Sequence, residues 1–146
     1  MKLLTIAAIT ALSFTAAANP SKPVKPADRS WVQPYGPKGP AFAFVEGKFN
    51  EKASFFIKLA PGADSGWHLH DEDYSGVVLQ GSFTEQQAGD KAEVELTPGT
   101  YFVQPGKAVH RNGCGKTSEC IVYIHFDANA NSTPTTREGK PLTAQK

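Results

Sequence analysis

The stretch Gly62–Gly81, GADSGWHLHDEDYSGVVLQG, sets two histidines one residue apart and follows them with three acids, a tyrosine and an apolar run. Alternate side chains of a β-strand share one face, so His68 and His70 can point the same way, about 6.6 Å apart along the backbone. Two imidazoles at that spacing can converge on one metal ion at about 2.0–2.1 Å. On spacing alone, a surface pair of histidines beside solvated acids explains the pattern equally well. By the same alternation, Trp67 is expected to point away from His68 and to serve packing.

Short β-rich runs separated by turn signals extend on both sides of this stretch. They are AFAFVEG from Ala41, ASFFIKL from Ala53, SGVVLQG from Ser75, GSFTEQQ from Gly81, AEVEL from Ala92, TYFVQ from Thr100, AVHRN from Ala108 and CIVYIHF from Cys120. Glycine and proline pairs such as Pro61-Gly62 and Pro98-Gly99 separate the runs. Strands spaced by about ten residues, with no convincing helical window, predict an all-β sandwich or barrel.

The sequence divides into four predicted segments. Residues 1–18 have a positive start, an apolar stretch too short to span a bilayer and a small-residue cleavage site, which predicts a secretory signal peptide. Residues 19–40 contain six prolines and predict an extended surface arm, with Trp31 as one docking point and Tyr35 as another. Residues 41–127 form the predicted barrel. Residues 128–146 have no periodic pattern and predict a flexible tail. The signal peptide predicts export, to the periplasm or outside the cell.

Length and charge limit the classes of partner. A chain of 146 residues that is 40% hydrophobic and 20% charged suits one folded domain. Fifteen Lys and Arg, less Lys2 of the signal peptide, leave fourteen to balance fourteen Asp and Glu. A net charge near zero argues against nucleic acid as a partner. Nothing after residue 18 is apolar for long enough to insert into a membrane. The partner expected from the histidine motifs discussed below is a small-molecule ligand or substrate.

The cysteines, Cys114 and Cys120, are separated by GKTSE. In an oxidising compartment so close a pair predicts a disulfide across a hairpin loop, which stabilises by about 2 kcal/mol on the loop-entropy argument. A redox-active or metal-bound thiol pair is the alternative, although the spacing is not C-x-x-C.

The opening stretch resembles the first motif of the cupin family, G-x5-H-x-H-x3,4-E-x6-G. Every spacing is kept between Gly62 and Gly81, and only the glutamate differs, since Tyr74 takes its place. The resemblance extends over roughly residues 40 to 127 and implies a small double-stranded β-helix, a jelly-roll barrel with a divalent metal inside.

A second segment, Gly99 to Cys114, resembles the second cupin motif, G-x5-P-x-G-x2-H-x3-N. Its first glycine, its proline and His110 are in register. The second glycine comes one place early, at Gly106, and Cys114 takes the asparagine position. Two such motifs in the right order are a specific signal.

The resemblance implies His68, His70 and His110 as the ligands of one divalent transition metal. Imidazoles suit Fe, Mn, Ni, Cu or Zn, and the sequence does not choose between them. Three ligands leave positions open for water, O₂ or a bidentate substrate. A cupin-like barrel that has lost its metal is the alternative. His125 fits neither motif and is expected to be a packed or surface histidine.

Tyr74 distinguishes this sequence from the four-ligand pattern. A phenol is a poor ligand at pH 7 but a good hydrogen-bond donor or acid toward a bound substrate. A site without a carboxylate keeps one more positive charge, which favours an anionic or enolisable molecule. Asp71, Glu72 and Asp73 could supply a substitute carboxylate through a loop shift, although acids at a strand edge are more often solvated.

Three functions are compatible with these features. The first is an exported metal-dependent enzyme of dioxygenase type. The second is a binding module that captures metal or a small ligand without turnover. The third is an assembly role, with a homodimer formed through an edge strand or the proline-rich arm. Fold alone does not choose between them.

Overall fold

The computed structural model describes residues 23–142. Its regular structure consists of a 3-10 turn, Pro26–Asp28, and ten strands: β1 Ala41–Gly47, β2 Ala53–Leu59, β3 His68–Leu69, β4 Tyr74–Gln80, β5 Phe83–Gln87, β6 Val94–Leu96, β7 Tyr101–Gln104, β8 His110–Cys114, β9 Cys120–Phe126 and β10 Thr133–Pro134. The predicted signal peptide lies outside the described residues, as do residues 143–146. Between residues 23 and 142, none of the helical structure has the length and apolar character of a membrane span.

The strands form two five-stranded sheets. One has the order β1-β2-β9-β4-β7 and the other the order β10-β3-β8-β5-β6, with every pair antiparallel. Successive side chains of a strand point to opposite faces, so each sheet turns one apolar face to the shared interior. The prediction of an all-β, cupin-like double-stranded β-helix is confirmed.

The core follows directly from the alternating pattern of the central strands. In β9, Cys120, Val122, Ile124 and Phe126 are buried while the residues between them are half-exposed. The eight predicted runs each overlap one strand, and three of them, including Cys120–Phe126, have the predicted bounds. Strict alternation makes these strands the easiest to recognise, because one face is buried and the other faces outward.

The proline-rich arm packs against β1 and β2. Val32 forms a bridge with Phe42 of β1. The Lys58 ammonium lies 4.5 Å from the centre of the Trp31 ring, and Tyr35 packs edge-on against Phe42 at 6.1 Å. Both aromatic residues singled out in the sequence therefore contact the barrel.

The C-terminal segment, residues 128–142, is packed against the barrel, so the predicted loose tail is wrong for these residues. β10 pairs with β3. Ala130 and Thr135 are each 2% exposed. Arg137 donates hydrogen bonds to two carbonyls of the loop between β5 and β6. The segment is held by backbone pairing and by two small buried side chains. Contacts of these kinds do not require a periodic apolar pattern in the sequence, which is the signal by which a packed element is recognised.

The loop before β8 contains a left-handed residue that is not glycine. Lys107 has φ 62°, at the place where the second cupin motif has its glycine. The neighbouring Gly106 is needed for a different reason, because a Cβ there would lie 2.7 Å from the carbonyl carbon of Glu72. The early glycine thus permits the close approach of two loops, and Lys107 takes the conformation that disfavours side chains.

Exchanging Lys107 for glycine should stabilise the protein. Glycine relieves the strain of the left-handed conformation, which stabilises the native state by about 1–2 kcal/mol. It also gives the unfolded chain more conformational entropy, which costs about 0.4–1 kcal/mol. The first effect is larger, so the free energy of unfolding should rise by about 0.5–1 kcal/mol. Lys107 is exposed and its backbone N–H, which donates to the His70 carbonyl at 2.7 Å, is retained. Denaturant titration measures the change. Lys107→Ala keeps the strain and should not differ from wild type; equal stability of the glycine and alanine variants would contradict the argument.

Candidate metal centre

The pairing of β3 with β8 brings two of the predicted ligands face to face. His68 lies directly opposite His110 in the register, and their ring centres are 4.3 Å apart. His70 follows just beyond β3, with its ring centre 5.0 Å from that of His68 and 5.3 Å from that of His110. One potential ligand atom from each of the three rings lies within 4.8 Å of the others. The structure therefore brings all three predicted ligands into one cluster.

Each of these rings uses its Nδ1 in a hydrogen bond to a backbone carbonyl. His68 donates to Gly66 at 2.9 Å and His110 donates to Ala108 at 3.0 Å. His70 donates to the carbonyl of Asn131, in the C-terminal segment. An Nδ1–H committed in this way leaves Nε2 as the unprotonated nitrogen, and such outer hydrogen bonds orient metal-binding histidines in proteins.

This donor set suits a divalent transition metal. Three neutral nitrogens converge, their tautomers are fixed by the backbone, and two of the rings are buried while that of His70 is half-buried. Among residues 23–142, no carboxylate joins the group. Asp71 instead accepts a hydrogen bond from the Asn131 amide, and Asp73 accepts one from the Gly106 backbone at 2.7 Å. These two acids hold loops and do not substitute for the missing glutamate.

Burial controls the protonation of the cluster. It lowers the pKa of His68, and it lowers the pKa of His70 to about 4. The pKa of His110 falls to about 3, again mainly through burial and further through the neighbouring His68. All three rings are therefore neutral at pH 7, which is the state that a metal ligand requires.

The metal-free protein should lose stability as the pH falls below 6.5. From about pH 6.5 to pH 4 the unfolded chain takes up protons on His70 and His110 while the native state does not, so unfolding is favoured as the pH drops. The slope is up to about 1.4 kcal/mol per pH unit for each ring. Denaturant titrations of chelator-treated protein at pH 7.5, 6 and 5 measure it. His110→Gln should flatten the dependence, and a wild-type stability that is constant or rises toward pH 5 would contradict the assignment.

Tyr74 lies beside the cluster, as expected from its place in the motif. Its hydroxyl is 3.4 Å from Nε2 of His110, its ring centre lies 4.9 Å from that of His70, and it packs on Phe126. Burial raises the pKa of the phenol above its usual value. The phenol is therefore protonated at neutral pH and acts as a hydrogen-bond donor toward the centre.

A cavity of about 460 Å³ adjoins the cluster, with His68, His70 and Tyr74 in its wall. This volume falls in the range of about 300–1,000 Å³ typical of small-molecule sites. The remainder of the wall is mostly apolar and includes Phe42, Phe49, Phe55, Ile57, Leu59 and Phe126. His110, which is completely buried, lies behind this wall. A molecule in the cavity would thus reach the cluster from one side.

Two residues near the cluster were not identified from the sequence. Asn131 holds His70 through its carbonyl and Asp71 through its side chain. Asn112 lies two residues after His110 and lines the cavity. A backbone carbonyl can come from any residue type, so Asn131 carries no signal in the sequence. The position of Asn112 on the His110 face of β8 was a usable signal.

Trp67 and His125 lie away from the centre, as predicted. Trp67 is placed between the guanidinium groups of Arg111 and Arg137, at 5.4 and 5.1 Å from the ring centre. His125 accepts a hydrogen bond from the Ser54 hydroxyl at 2.7 Å and donates one to Asp127. Both therefore belong to the packing of the outer surface.

A disulfide joins Cys114 to Cys120. It connects the end of β8, which carries His110, to the start of β9. Cys120 is completely buried. The two strands lie in different sheets and do not pair, so the disulfide closes the loop that connects the sheets and not the predicted hairpin.

Comparison with known proteins gives a family and a fold. Residues 55–126 match the family model described as "Cupin domain". KdgF from Halomonas sp. is 23% identical, with 68% of this chain and 89% of that one covered and a TM-score of 0.55. The polyketide cyclase RemF from Streptomyces resistomycificus is 17% identical, with 78% and 82% covered and a TM-score of 0.62. Oxalate oxidase in complex with the substrate analogue glycolate is 16% identical, with 70% and 58% covered and a TM-score of 0.56.

At identities below 25%, these likenesses establish the fold alone. No curated protein matches the sequence.

Proposed function

This chain belongs to the cupin family, and on that premise we propose that it is an exported metal-dependent enzyme of dioxygenase type acting on a small anionic or enolisable molecule. His68, His70 and His110 would hold the ion. The observation that carries the proposal is that each ring commits Nδ1 to a backbone carbonyl, which leaves three Nε2 atoms for one ion beside a cavity.

A divalent Fe, Mn, Ni, Cu or Zn ion would supply Lewis acidity and, for the redox-active metals, reaction with O₂. The protein contributes a neutral ligand set, which leaves the full charge of the ion to attract an anionic oxygen. The Tyr74 hydroxyl lies 3.4 Å from Nε2 of His110, and with the metal bound it would be free to donate a hydrogen bond to a substrate oxygen and stabilise the charge that develops there. The apolar wall excludes water from the reacting groups.

Export rests on two features of the chain. The first eighteen residues have the pattern of a signal peptide. The Cys114–Cys120 disulfide fits an oxidising compartment, where such bonds persist. Together they support a periplasmic or secreted location.

The alternative is a binding module without turnover, and one observation favours it. The cavity wall contains one carboxylate, that of Asp64, among the described residues, and Arg111 pairs with it at 3.3 Å. A reaction that begins by removing a proton from the substrate would need a free base, which this wall does not supply. Homodimer formation stays a prediction in either case.

Metal content and oxygen uptake test the proposal. We expect protein purified from its native compartment to carry stoichiometric metal by elemental analysis and to consume O₂ with a panel of 1,3-diketones and 2-oxo acids. Tyr74→Phe should lower kcat by about 100-fold with metal content unchanged, because one positioned donor is lost. Tyr101→Phe, at an exposed tyrosine of β7, is the matched control. Protein without metal would overturn the proposal, and metal without oxygen uptake would favour the binding module.

A further inference from the structure

Among the described residues that line the cavity beside the histidine cluster, one buried polar side chain is not used by the proposed metal site. Asn112 lies on β8 two residues beyond His110 and therefore on the same inward face. Its side chain is 8% exposed and lines the cavity, and its amide Nδ2 is buried without a hydrogen-bond partner. A buried amide group left unpaired costs about 1–3 kcal/mol. Nδ2 has almost no accessible surface in this structure, so a rotation of the side-chain amide would bring it to a ligand atom in the cavity, and that pairing would recover the loss.

The backbone fixes this side chain in place. The Asn112 N–H donates to the Ser65 hydroxyl at 2.9 Å, and its carbonyl accepts from the Ser65 N–H at 2.8 Å. On the other side, Asn112 pairs with Glu85 in β5. Both backbone groups of Asn112 are therefore satisfied by Ser65, and the unpaired amide belongs to a strand that is paired on its other side as well.

A large part of the cavity wall is aromatic or aliphatic. Phe42, Phe49 and Phe55 pack edge to face, with ring centres 5.0–5.9 Å apart. Ile57, Leu59 and Phe126 complete the apolar wall. A ligand with only a small polar head would leave this space to water that forms few hydrogen bonds. An apolar group placed there would favour binding by about 25 cal/mol for each Å² of apolar surface that it buries.

The charge left free for a ligand is positive. Lys38 of the proline-rich arm lines the cavity and makes no ion pair within residues 23–142. Asp64 also lines it, but its carboxylate is taken by Arg111 and by the Gly66 N–H at 2.8 Å. The unpaired charge of Lys38 and the charge of a divalent ion on neutral ligands are both positive, so they favour a ligand with an anionic head group.

We infer that the cavity binds a carboxylate with a neighbouring hydroxyl or carbonyl oxygen and an apolar aryl or alkyl body, and that the Asn112 amide hydrogen-bonds its head group. The inference rests on the proposed metal site, which would hold the two head-group oxygens. It goes beyond that proposal by defining a size and polarity for the ligand and by adding a residue that sets specificity.

Two probes with the same head group separate the parts of this inference. 3-Phenyllactate and lactate share a 2-hydroxycarboxylate and differ by a phenyl group. Calorimetric titration of the metal-loaded mature chain should give phenyllactate an affinity at least about 10-fold higher than lactate, since the phenyl group is buried. Asn112→Leu should weaken phenyllactate binding about 10-fold while elemental analysis shows unchanged metal. Asn112→Ala, which also removes the amide, replaces the leucine variant if that variant does not fold.

Two lysine variants, one in the cavity wall and one outside it, provide a matched comparison. Lys38→Ala should weaken both probes about 3-fold, whereas Lys91→Ala, at an exposed lysine outside the cavity wall, should change neither. Protein without metal would overturn the proposed function and this inference together. Metal-loaded protein that binds lactate as tightly as phenyllactate would overturn the apolar body alone. Unchanged phenyllactate affinity after loss of the amide would overturn the role of Asn112.

Discussion

Replacing His110 with alanine is expected to remove the metal: the variant should contain almost none, where the wild type contains about one ion per chain. His110 is the one ligand that β8 supplies, and it is completely buried opposite His68. Losing an outer hydrogen-bond partner of a metal ligand typically costs 10- to 100-fold in metal affinity, so losing the ligand itself should cost more than about 100-fold. Elemental analysis after dialysis, with competition against a chromogenic chelator, measures both quantities.

The control for this experiment is a histidine of the same barrel that lies outside the cluster. His125→Ala removes an imidazole bonded to Ser54 and Asp127 and should leave metal content and affinity unchanged. Thermal unfolding of both variants in chelator establishes that each is folded. A folded His110→Ala variant that retains its ion with wild-type affinity would refute the three-histidine centre.

Truncation after Ala130 should be the second large effect. This change deletes the Asn131 carbonyl that holds His70, so metal affinity should fall by about 10- to 100-fold even though all three predicted ligands remain. The metal-free protein should also lose about 2–3 kcal/mol of unfolding free energy, because the pairing of β10 and the two hydrogen bonds of Arg137 disappear. The chelator competition and denaturant titrations give the two numbers.

A shorter truncation tests whether these effects come from the contacts of the segment or only from shortening the chain. Ending the chain at Leu142 keeps every described contact of the segment and should change neither quantity. Asp71→Ala removes the carboxylate that holds the Asn131 side chain and should weaken metal binding by a smaller factor than the truncation. If the chain that ends at Ala130 binds metal as tightly as wild type, the hydrogen bond to His70 has no role in the centre.

The sequence predicts the parts of this molecule that depend on side-chain type and spacing. The alternation in Cys120–Phe126 reveals a half-buried central strand, and the spacing of His68 and His70 places two imidazoles on one side. The second motif then identifies His110 as their partner. Each of these signals arises because a particular side chain must face a particular environment.

Other parts of the site depend on contacts that leave no mark on residue type. The carbonyl that fixes His70 belongs to Asn131, 61 residues further along the chain, and any residue there has a carbonyl. β10 is two residues long and contains a proline, so it shows neither length nor alternation. The unpaired amide of Asn112 follows from the packing around it, which a single sequence does not contain. These features required the three-dimensional arrangement.

The bond between His70 and Asn131 also sets the time at which the centre can be completed. A ribosome makes the chain from its N-terminus, so the first two predicted ligands emerge long before the residue that orients one of them. Metal loading should therefore follow synthesis instead of accompanying it. For a chain that crosses a membrane unfolded, the ion would be acquired where the C-terminal segment finally docks, and the metals available there, more than the order of affinities, would decide which one is held.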